Sequence, residues 1–333
     1  MSALKISVVI PTFNRCEVLA TTLARLTDQS LPADQFEVIV VDDGSSDATE
    51  QVVRSHAVNA PFSLRYLWHE TSGPGQTQNR GIHEAQCDLV LLIANDNWPT
   101  RDLLRSHVEA HERIPGPNIA VLGQVQQSDQ LPDTVMHRNW DPFEFDKLAG
   151  RHELTSLHFW GCNISFSRQF LLDHGLFRDR LGAGNEDTEL GYRLSKSGLR
   201  IFYEPKALTY HYHEVTIEGA CRRAYQEGSN FDVLDPIPRD EIAPMTGIFA
   251  LDASWPTVLR MLPKEIVRAS VFHPWVVNGF WIPVLNLAER FPPARIFASP
   301  GAYRGVFGCY YRMGIRHLRR KQRSAGNQPV SAA

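Results

Sequence analysis

What the chain lacks narrows it first. Its five cysteines (Cys16, Cys87, Cys162, Cys221, Cys309) are scattered, with no CxxC pair. That disfavours a zinc knuckle or a disulfide framework and fits a reducing cytoplasm. No run of about 20 mostly apolar residues is present, as a membrane-spanning helix requires. The most apolar late stretch, VFHPWVVNGFWIPVLNLAERF (271–291), is broken by His273, Pro274, Asn278, Pro283 and Asn286. It reads as non-spanning, with interfacial docking left open. The opening MSALKISVVIPTF has an apolar core too short for a signal peptide and reads as a strand. Acidic residues are missing after Glu289, where nine Lys or Arg occur between Arg290 and Arg323. The first 289 residues then hold 25 basic against 37 acidic side chains, a charge of −12 within a total of −3. The net balance predicts no nucleic-acid partner. The basic tail is either a solvated helix end or a contact with an anionic surface such as lipid head groups, which would place the protein at the inner face of the membrane. Glycine patterns that cradle phosphate are missing too. GxxxxGK[ST] occurs nowhere, and PTFNR stands where GxGxxG would follow a first strand. Phosphate chemistry here must rely on a metal or on isolated cations.

The 333 residues, 43% hydrophobic and 21% charged, allow one large α/β domain with an appendage or two domains. ISVVI (6–10), FEVIVV (36–41), SLRYLW (63–68) and DLVLLIA (88–94) read as strands. Between them, Val18, Leu19, Leu23 and Leu26 fall at helical spacing, and Ser46 or Asp47 offers an N-cap for a helix carrying Val52 and Val53. A TSGPG loop precedes a helix at 76–85, and Pro99 and Thr100 start another. Such β-α-β repeats predict a mostly parallel central sheet flanked by helices. Ligands sit beyond the C-terminal strand ends of such sheets. The candidates are therefore Thr12, Asn14 and Arg15, then Asp42 and Asp43, then residues 95–97. The polar stretch 125–158 predicts a mobile loop region. Order returns at 159–177 and 181–205, followed by a strand at 208–214 and a helix at 216–228.

Five blocks then occur in order: SVVIPTFNR, VVDDGSSD, GPGQTQNRG (73–81), the stretch around Asp96, and GNEDTELGYRL (184–194). Together they resemble a family-2 glycosyltransferase with the GT-A fold, over roughly residues 5–230. The resemblance implies a GT-A-type, Rossmann-like α/β domain at 1–230. Its nucleotide-binding half is about 1–124 and its acceptor half about 125–230. A helical, partly basic extension is expected at 231–323 and a disordered tail at 324–333. The implied activity is transfer of a sugar from a nucleotide-sugar, first of all a UDP-sugar, usually with inversion. The acceptor would be a hydroxyl of a glycan, a lipid-linked glycan or a natural product.

The same resemblance implies roles for particular residues. Pro11, Thr12, Arg15, Asp42 and Asp43 would hold the base and ribose, and Arg80 would approach the nucleotide. Carboxylates suit this, since they accept bonds from a uracil N–H or a ribose hydroxyl; the bland reading of DDGSSD is a turn with a helix N-cap. Asp187 would be the general base that takes the acceptor proton, with Glu186 orienting it. Both would sit at a helix N-terminus, where an ionised carboxylate is favoured, and capping alone describes them equally well. His211 or His213, which alternate along a strand and face one side, would complete a metal shell. Trp160 and Asn163 in FWGCN would line the acceptor pocket, although a Trp there is by default core. Arg222 or Arg223 would neutralise pyrophosphate, or else face solvent on a helix.

One block departs from the family. The pattern at the end of the fourth strand is Asp-x-Asp, and LLIANDN puts Ala94 at the first position and Asp96 at the last. The residue expected to meet Mg²⁺ or Mn²⁺ is kept and its upstream partner is lost, while Asn95 and Asn97 can donate bonds to ribose or diphosphate oxygens. Three readings follow: metal use with weakened affinity, metal independence with cations from arginines, or lost catalysis. The last corresponds to a nucleotide-sugar-binding protein without turnover. A sugar nucleotidyltransferase is disfavoured by the first-strand turn, which lacks a glycine-rich loop.

Overall fold

The apolar, β-branched runs of the first third form strands β1 (Ile6–Thr12), β2 (Phe36–Asp42), β3 (Ser63–Trp68) and β4 (Leu89–Ile93). In the computed structural model, which describes residues 3–139, 145–179, 184–238, 241–242 and 270–326, they pair in parallel in the order β3-β2-β1-β4. Helices α1 (Cys16–Leu26), α2 (Thr49–Asn59) and α3 (Pro74–Glu84) make the crossovers. Side chains alternate between two cores. Val9, Ile39, Val41, Val90 and Leu92 enter one, and Val8, Ile10, Val38, Val40, Leu91 and Ile93 enter the other. A strand buried on both faces needs this continuous apolar sequence. Each such burial contributes about 1.5–3 kcal/mol.

Past β4 the sheet changes direction. Strand β5 (Asn97–Pro99) follows at once, then α4 (Leu103–Arg113), β6 (Ile119–Gln127), α5 (Val135–Asn139), β7 (Glu153–Leu154) and β8 (Asn163–Ser167). Strand β8 lies between β4 and β6, antiparallel to both. After α6 (Arg168–His174) and α7 (Glu186–Ser195), the long β9 (Arg200–His211) runs parallel to β6 and carries β5 and β7 antiparallel. Among the described residues the fold is thus a mixed α/β sheet of nine strands with flanking helices.

Two local expectations fail. Pro99 and Thr100 do not start a helix: Asn97–Pro99 pairs with β9, Thr100 N–H donates to Leu208 O, and α4 begins at Leu103. The stretch 125–158 is not simply a loop, because β6 continues to Gln127 and Phe145, Leu148 and Leu154 are buried in the core. Its apolar residues are too sparse to show a period and are fixed by partners distant in sequence.

The chain divides into two compact units, residues 1–131 with 143–213, and residues 132–142 with 214–333. The second holds α5, α8 (Ile217–Ser229), α9 (Ile282–Arg290) and α10 (Pro300–Gly326) around Ile217, Val277, Leu285, Tyr303, Val306 and Phe307. There the Glu289 carboxylate accepts from Val135 N–H and Met136 N–H, at 2.8 and 2.9 Å, and so caps α5. The segment 274–290 starts its helix at Pro274 and has a wide turn at Val277–Trp281 before α9. Among the described residues no helix is long and apolar enough to cross a membrane. Helix α10 runs through 324–326; the remainder of the tail expected to be disordered lies outside the described residues.

Candidate active site

The turns after β1 and β2 are clipped together. Asn14, in the left-handed region at φ 51°, donates its N–H to Ser45 Oγ at 2.8 Å, and its side-chain oxygen accepts from Ser46 N–H at 2.8 Å. Asp47 accepts from Cys16 N–H, so it ties α1 to this turn, and also from Thr49 N–H as α2 starts. The N-cap position of α2 is Ala48 rather than Ser46 or Asp47, and Asp47 serves instead as a cross-link between the two helix starts. Asp42 and Asp43 are both buried. Asp42 accepts from Ser45 N–H at 2.8 Å and from the Tyr66 hydroxyl at 2.6 Å. Burial and the neighbouring Asp42 push the Tyr66 phenol well above its usual range. Asp43 accepts from Ser72 N–H at 2.7 Å and Gly73 N–H at 3.1 Å. Gly73 has φ 93°, a conformation that favours glycine and lets its N–H face the carboxylate as α3 begins. Pro11 is half-buried, and Thr12 is buried with its hydroxyl accepting from Asn95 Nδ2 at 2.9 Å.

Asp96 is the hub of a second cluster, reached from the end of β4. Its Oδ2 lies 2.6 Å from Arg15 Nη1, 3.0 Å from His213 Nδ1 and 3.7 Å from His211 Nε2. The two imidazoles come from the end of β9 on one side, as their spacing predicted, and stack at 5.5 Å with planes 1° apart. Strand β5 sets this register: Asn97 pairs with His211, and Tyr212 N–H donates to Asp96 O at 2.8 Å. Burial pushes the Asp96 carboxyl up, but the groups gathered around its Oδ2, with the Arg15 guanidinium among them, outweigh that and hold it down at about 2. Asp96, His211 and His213 each offer one ligand atom, all within 4.8 Å of one another. One carboxylate oxygen and two imidazole nitrogens are a donor set that fits Mn²⁺ better than Mg²⁺, which prefers oxygen alone. Ala94 places no side-chain ligand here; its N–H donates to Cys162 O at 3.1 Å.

The backbone at 161–162 connects this cluster to the other carboxylate block. Cys162 O accepts from Ala94 N–H and also from Asn97 Nδ2 at 2.7 Å. One residue earlier, Gly161 N–H donates to Asp187 Oδ2 at 3.3 Å. Asp187 and Glu186 open α7, as the sequence predicted, behind Asn185 at φ 70°. Asp187 also accepts from Thr188 N–H at 2.8 Å, and Glu186 Oε2 accepts from Gly184 N–H. Helix α7 approaches closely because residue 191 is glycine: a Cβ there would lie 2.3 Å from Phe159 Cβ and from Ser156 O.

The structure places the other expected site residues as follows. Asn163 is fully buried, donates to Gln124 O and Ala207 O and accepts from His107 Nε2, so it cannot line an acceptor pocket. The Asn95 and Asn97 Nδ2 groups, expected to donate to a ligand, donate to Thr12 Oγ1 and Cys162 O. Trp160 is half-buried, with its indole N–H on Leu157 O and its ring edge-on to Phe145. Arg80 is exposed, with no ion-pair partner among the described residues. Arg222 and Arg223 lie on α8 in the second unit, where Arg223 pairs with Glu227. Other residues at the site passed unnoticed in sequence. Phe13 is 49% exposed at the end of β1, an aromatic face in the position where polar residues alone had been sought. Gln78 is buried beside the Gly161 Cα on the face of α3 away from Arg80, and only three-dimensional packing reveals it.

Comparison with known proteins fits this arrangement. The family model for glycosyl transferase family 2 matches residues 7–175. Validoxylamine A glucosyltransferase of Streptomyces hygroscopicus subsp. jinggangensis is 30% identical over 222 residues, 58% of this chain and 52% of that protein. Chondroitin synthase of Escherichia coli is 27% identical over 266 residues, 68% of this chain and 37% of that one. The chain thus spans about half the length, or less, of these curated relatives. Among solved structures, the mannosyltransferase PcManGT from Pyrobaculum calidifontis, in complex with GDP-Man and Mn²⁺, superposes with a TM-score of 0.61 at 20% identity. It covers 96% of this chain and 88% of its own. TarS 1-349 of S. aureus, in complex with UDP-GlcNAc, gives 0.52 at 17% identity, covering 96% and 92%. The fold is GT-A.

Proposed function

Because the chain belongs to glycosyl transferase family 2, we propose that it transfers a sugar from a nucleotide-sugar to an acceptor hydroxyl, with inversion at the anomeric carbon. The observation that carries this reading is the linkage of two carboxylate centres through one short backbone segment. Gly161 N–H meets Asp187, and Cys162 O meets the turn that bears Asp96. Asp187 takes the proton from the acceptor hydroxyl as its oxygen attacks the anomeric carbon. The bond from that carbon to the diphosphate breaks, and the diphosphate leaves with the electron pair. Glu186, beside Asp187 on the same helical turn, orients the acceptor or the base. Asp96, His211 and His213 would hold a divalent cation, which when bound offsets the charge of the leaving diphosphate.

Donor recognition falls to the clipped turns. Asp42 and Asp43 face the base and ribose with Pro11 and Thr12, and Phe13 offers its exposed ring to the base. A UDP-sugar is the first choice of donor, supported by the UDP-GlcNAc complex of TarS. The named relatives act on a natural product in one case and build a polysaccharide in the other, and a glycan, lipid-linked or natural-product hydroxyl is the acceptor class proposed here. The acid-free basic C-terminus and the exposed aromatics of the second unit favour an acceptor met at the inner face of a membrane. The test is donor turnover with purified protein and UDP-sugars, with and without EDTA, for the natural sequence and Asp187→Asn. General base removal should cost about 10²–10⁴-fold in kcat while donor affinity by calorimetry is kept. Unchanged turnover in Asp187→Asn would sink the base assignment.

A further inference from the structure

Arg15 leaves the end of β1 and reaches across the site. Its Nη1 lies 2.6 Å from Asp96 Oδ2, and its Nη2 lies 2.8 Å from His213 Nδ1. A guanidinium can only donate, so both atoms turn lone pairs toward it. His213 Nδ1 therefore cannot also donate to Asp96, although the two atoms are 3.0 Å apart. Two lone-pair atoms at that separation repel unless positive charge bridges them, and here the guanidinium is the bridge. Asp96 Oδ2 lies 3.0 Å from His213 Nδ1 and 3.7 Å from His211 Nε2, so a cation held through these nearest atoms of the three residues would take the same two atoms that Arg15 holds. Transition-metal ions bind such atoms at about 2.0–2.2 Å along the same lone pairs. His213 Nδ1 has a single lone pair, so a metal ion and Arg15 Nη2 cannot hold it together.

We propose that Arg15 is an exchangeable stand-in for the divalent cation. It keeps the ligand atoms assembled while no ion is bound, and it must swing out before an ion can enter. This rests on the metal reading of Asp96, His211 and His213 given above. The Arg15 side chain is one-third exposed at the mouth of the sheet, which leaves it room to move. Once released it is a free guanidinium at the C-terminal end of β1, where a donor diphosphate would lie, and it suits a diphosphate by its bidentate fork. Ion and nucleotide then favour each other's binding: the ion frees the arginine, and the diphosphate gives it a new partner. Such coupling is reciprocal. It also accounts for a site that retains one carboxylate at its strand end, since a resting charge of −1 is all that one guanidinium has to match.

The experiment is Mn²⁺ titration of the full chain, followed by the loss of the free-ion electron paramagnetic resonance signal, with and without UDP. The natural sequence is compared with Arg15→Met, Arg15→Lys and Asp96→Asn. Without UDP, Arg15→Met should bind Mn²⁺ about ten-fold more tightly than the natural sequence, since a charge-assisted bond no longer has to be broken. Arg15→Lys, which keeps the charge and loses the fork, should fall between them and serves if the Met variant misfolds. UDP should tighten Mn²⁺ binding by a larger factor in the natural sequence than in Arg15→Met. Equal or weaker Mn²⁺ binding by both Arg15 variants, with binding abolished in Asp96→Asn, overturns the exchange and leaves the metal site standing. Binding that survives in Asp96→Asn, or no binding by any variant, overturns the site and the exchange together.

Discussion

Asp43 uses its carboxylate to hold the N–H groups of Ser72 and Gly73, so the proposed donor contact and a loop support fall on one side chain. Asp43→Ala strips both donors of their acceptor. It should lower stability by about 1–3 kcal/mol, read from urea midpoints, and weaken UDP binding as the 72–73 turn loses its anchor. Stability unchanged within error would show that backbone or solvent replaces the carboxylate. At this scale the sequence was informative wherever the residue type had one use. The positions of Asp96, Asp187 and the histidine pair were legible because an ionisable group at a strand end or helix start is easily located in the sequence pattern. Asn95 and Asn163 were not, because an amide serves a ligand or a neighbour equally well. Their neighbours, Thr12 for the first and Gln124, Ala207 and His107 for the second, are brought in from distant segments.

Helix α4 is fastened to β8 by a chain of hydrogen bonds with a single direction. The Asn163 amide donates both ways to backbone, so its oxygen must accept from His107 Nε2–H. His107 Nδ1 then accepts from the Ser165 hydroxyl, which in turn accepts from His111 Nε2–H. Burial is the main cause that lowers both imidazoles, His107 to about 3 and His111 to about 4. An unfolded chain takes up these protons near pH 6.5, and the folded one does not. The stabilisation is therefore fully present above about pH 6.5 and declines as pH falls toward 4 and then 3. Each imidazole contributes a limiting slope of about 1.4 kcal/mol per pH unit. Urea midpoints between pH 7.5 and 4.5 should show this decline, and His107→Gln should flatten it; an equal slope in the variant would assign the protons elsewhere. Helix α7 gives a packing test. Gly191→Ala pushes a methyl against Phe159 Cβ and Ser156 O and should cost about 1–3 kcal/mol in chemical denaturation, with turnover falling as Asp187 moves. Strands and helices of the parallel half were readable from period alone. Strand β5 was not, because its three residues owe their conformation to β9 rather than to their own sequence.

Across the whole molecule, charge and apolar exposure are both uneven. Nine basic residues and no acidic ones follow Glu289. The second unit exposes Trp275 at 84%, Ile296 at 79% and Phe291 at 51%. Exposed Trp and Phe combined with a run of Lys and Arg are the composition of an interfacial contact with anionic lipid. Vesicles containing phosphatidylglycerol should sediment the protein at low salt, and neutral phosphatidylcholine vesicles should not. Arg319→Glu, Arg320→Glu and Lys321→Glu together, all on exposed positions of α10, should abolish the effect. Binding that survives both charge reversal and 0.5 M salt would point to the aromatic surface acting alone.

The peptide units at Gly161 and Cys162 bear on how such a site could be altered. Their N–H and C=O groups, not side chains, fix the Asp187 carboxylate and the Asp96 turn. The separation between Asp187 and the Asp96 cluster is thus a backbone length, indifferent to the side chains at these positions beyond the need for room at Gly161. Changing side chains around the pocket can retune which acceptor is admitted without disturbing that interval. Lengthening or shortening the 160–163 segment by one residue would instead alter the reach of the reaction itself.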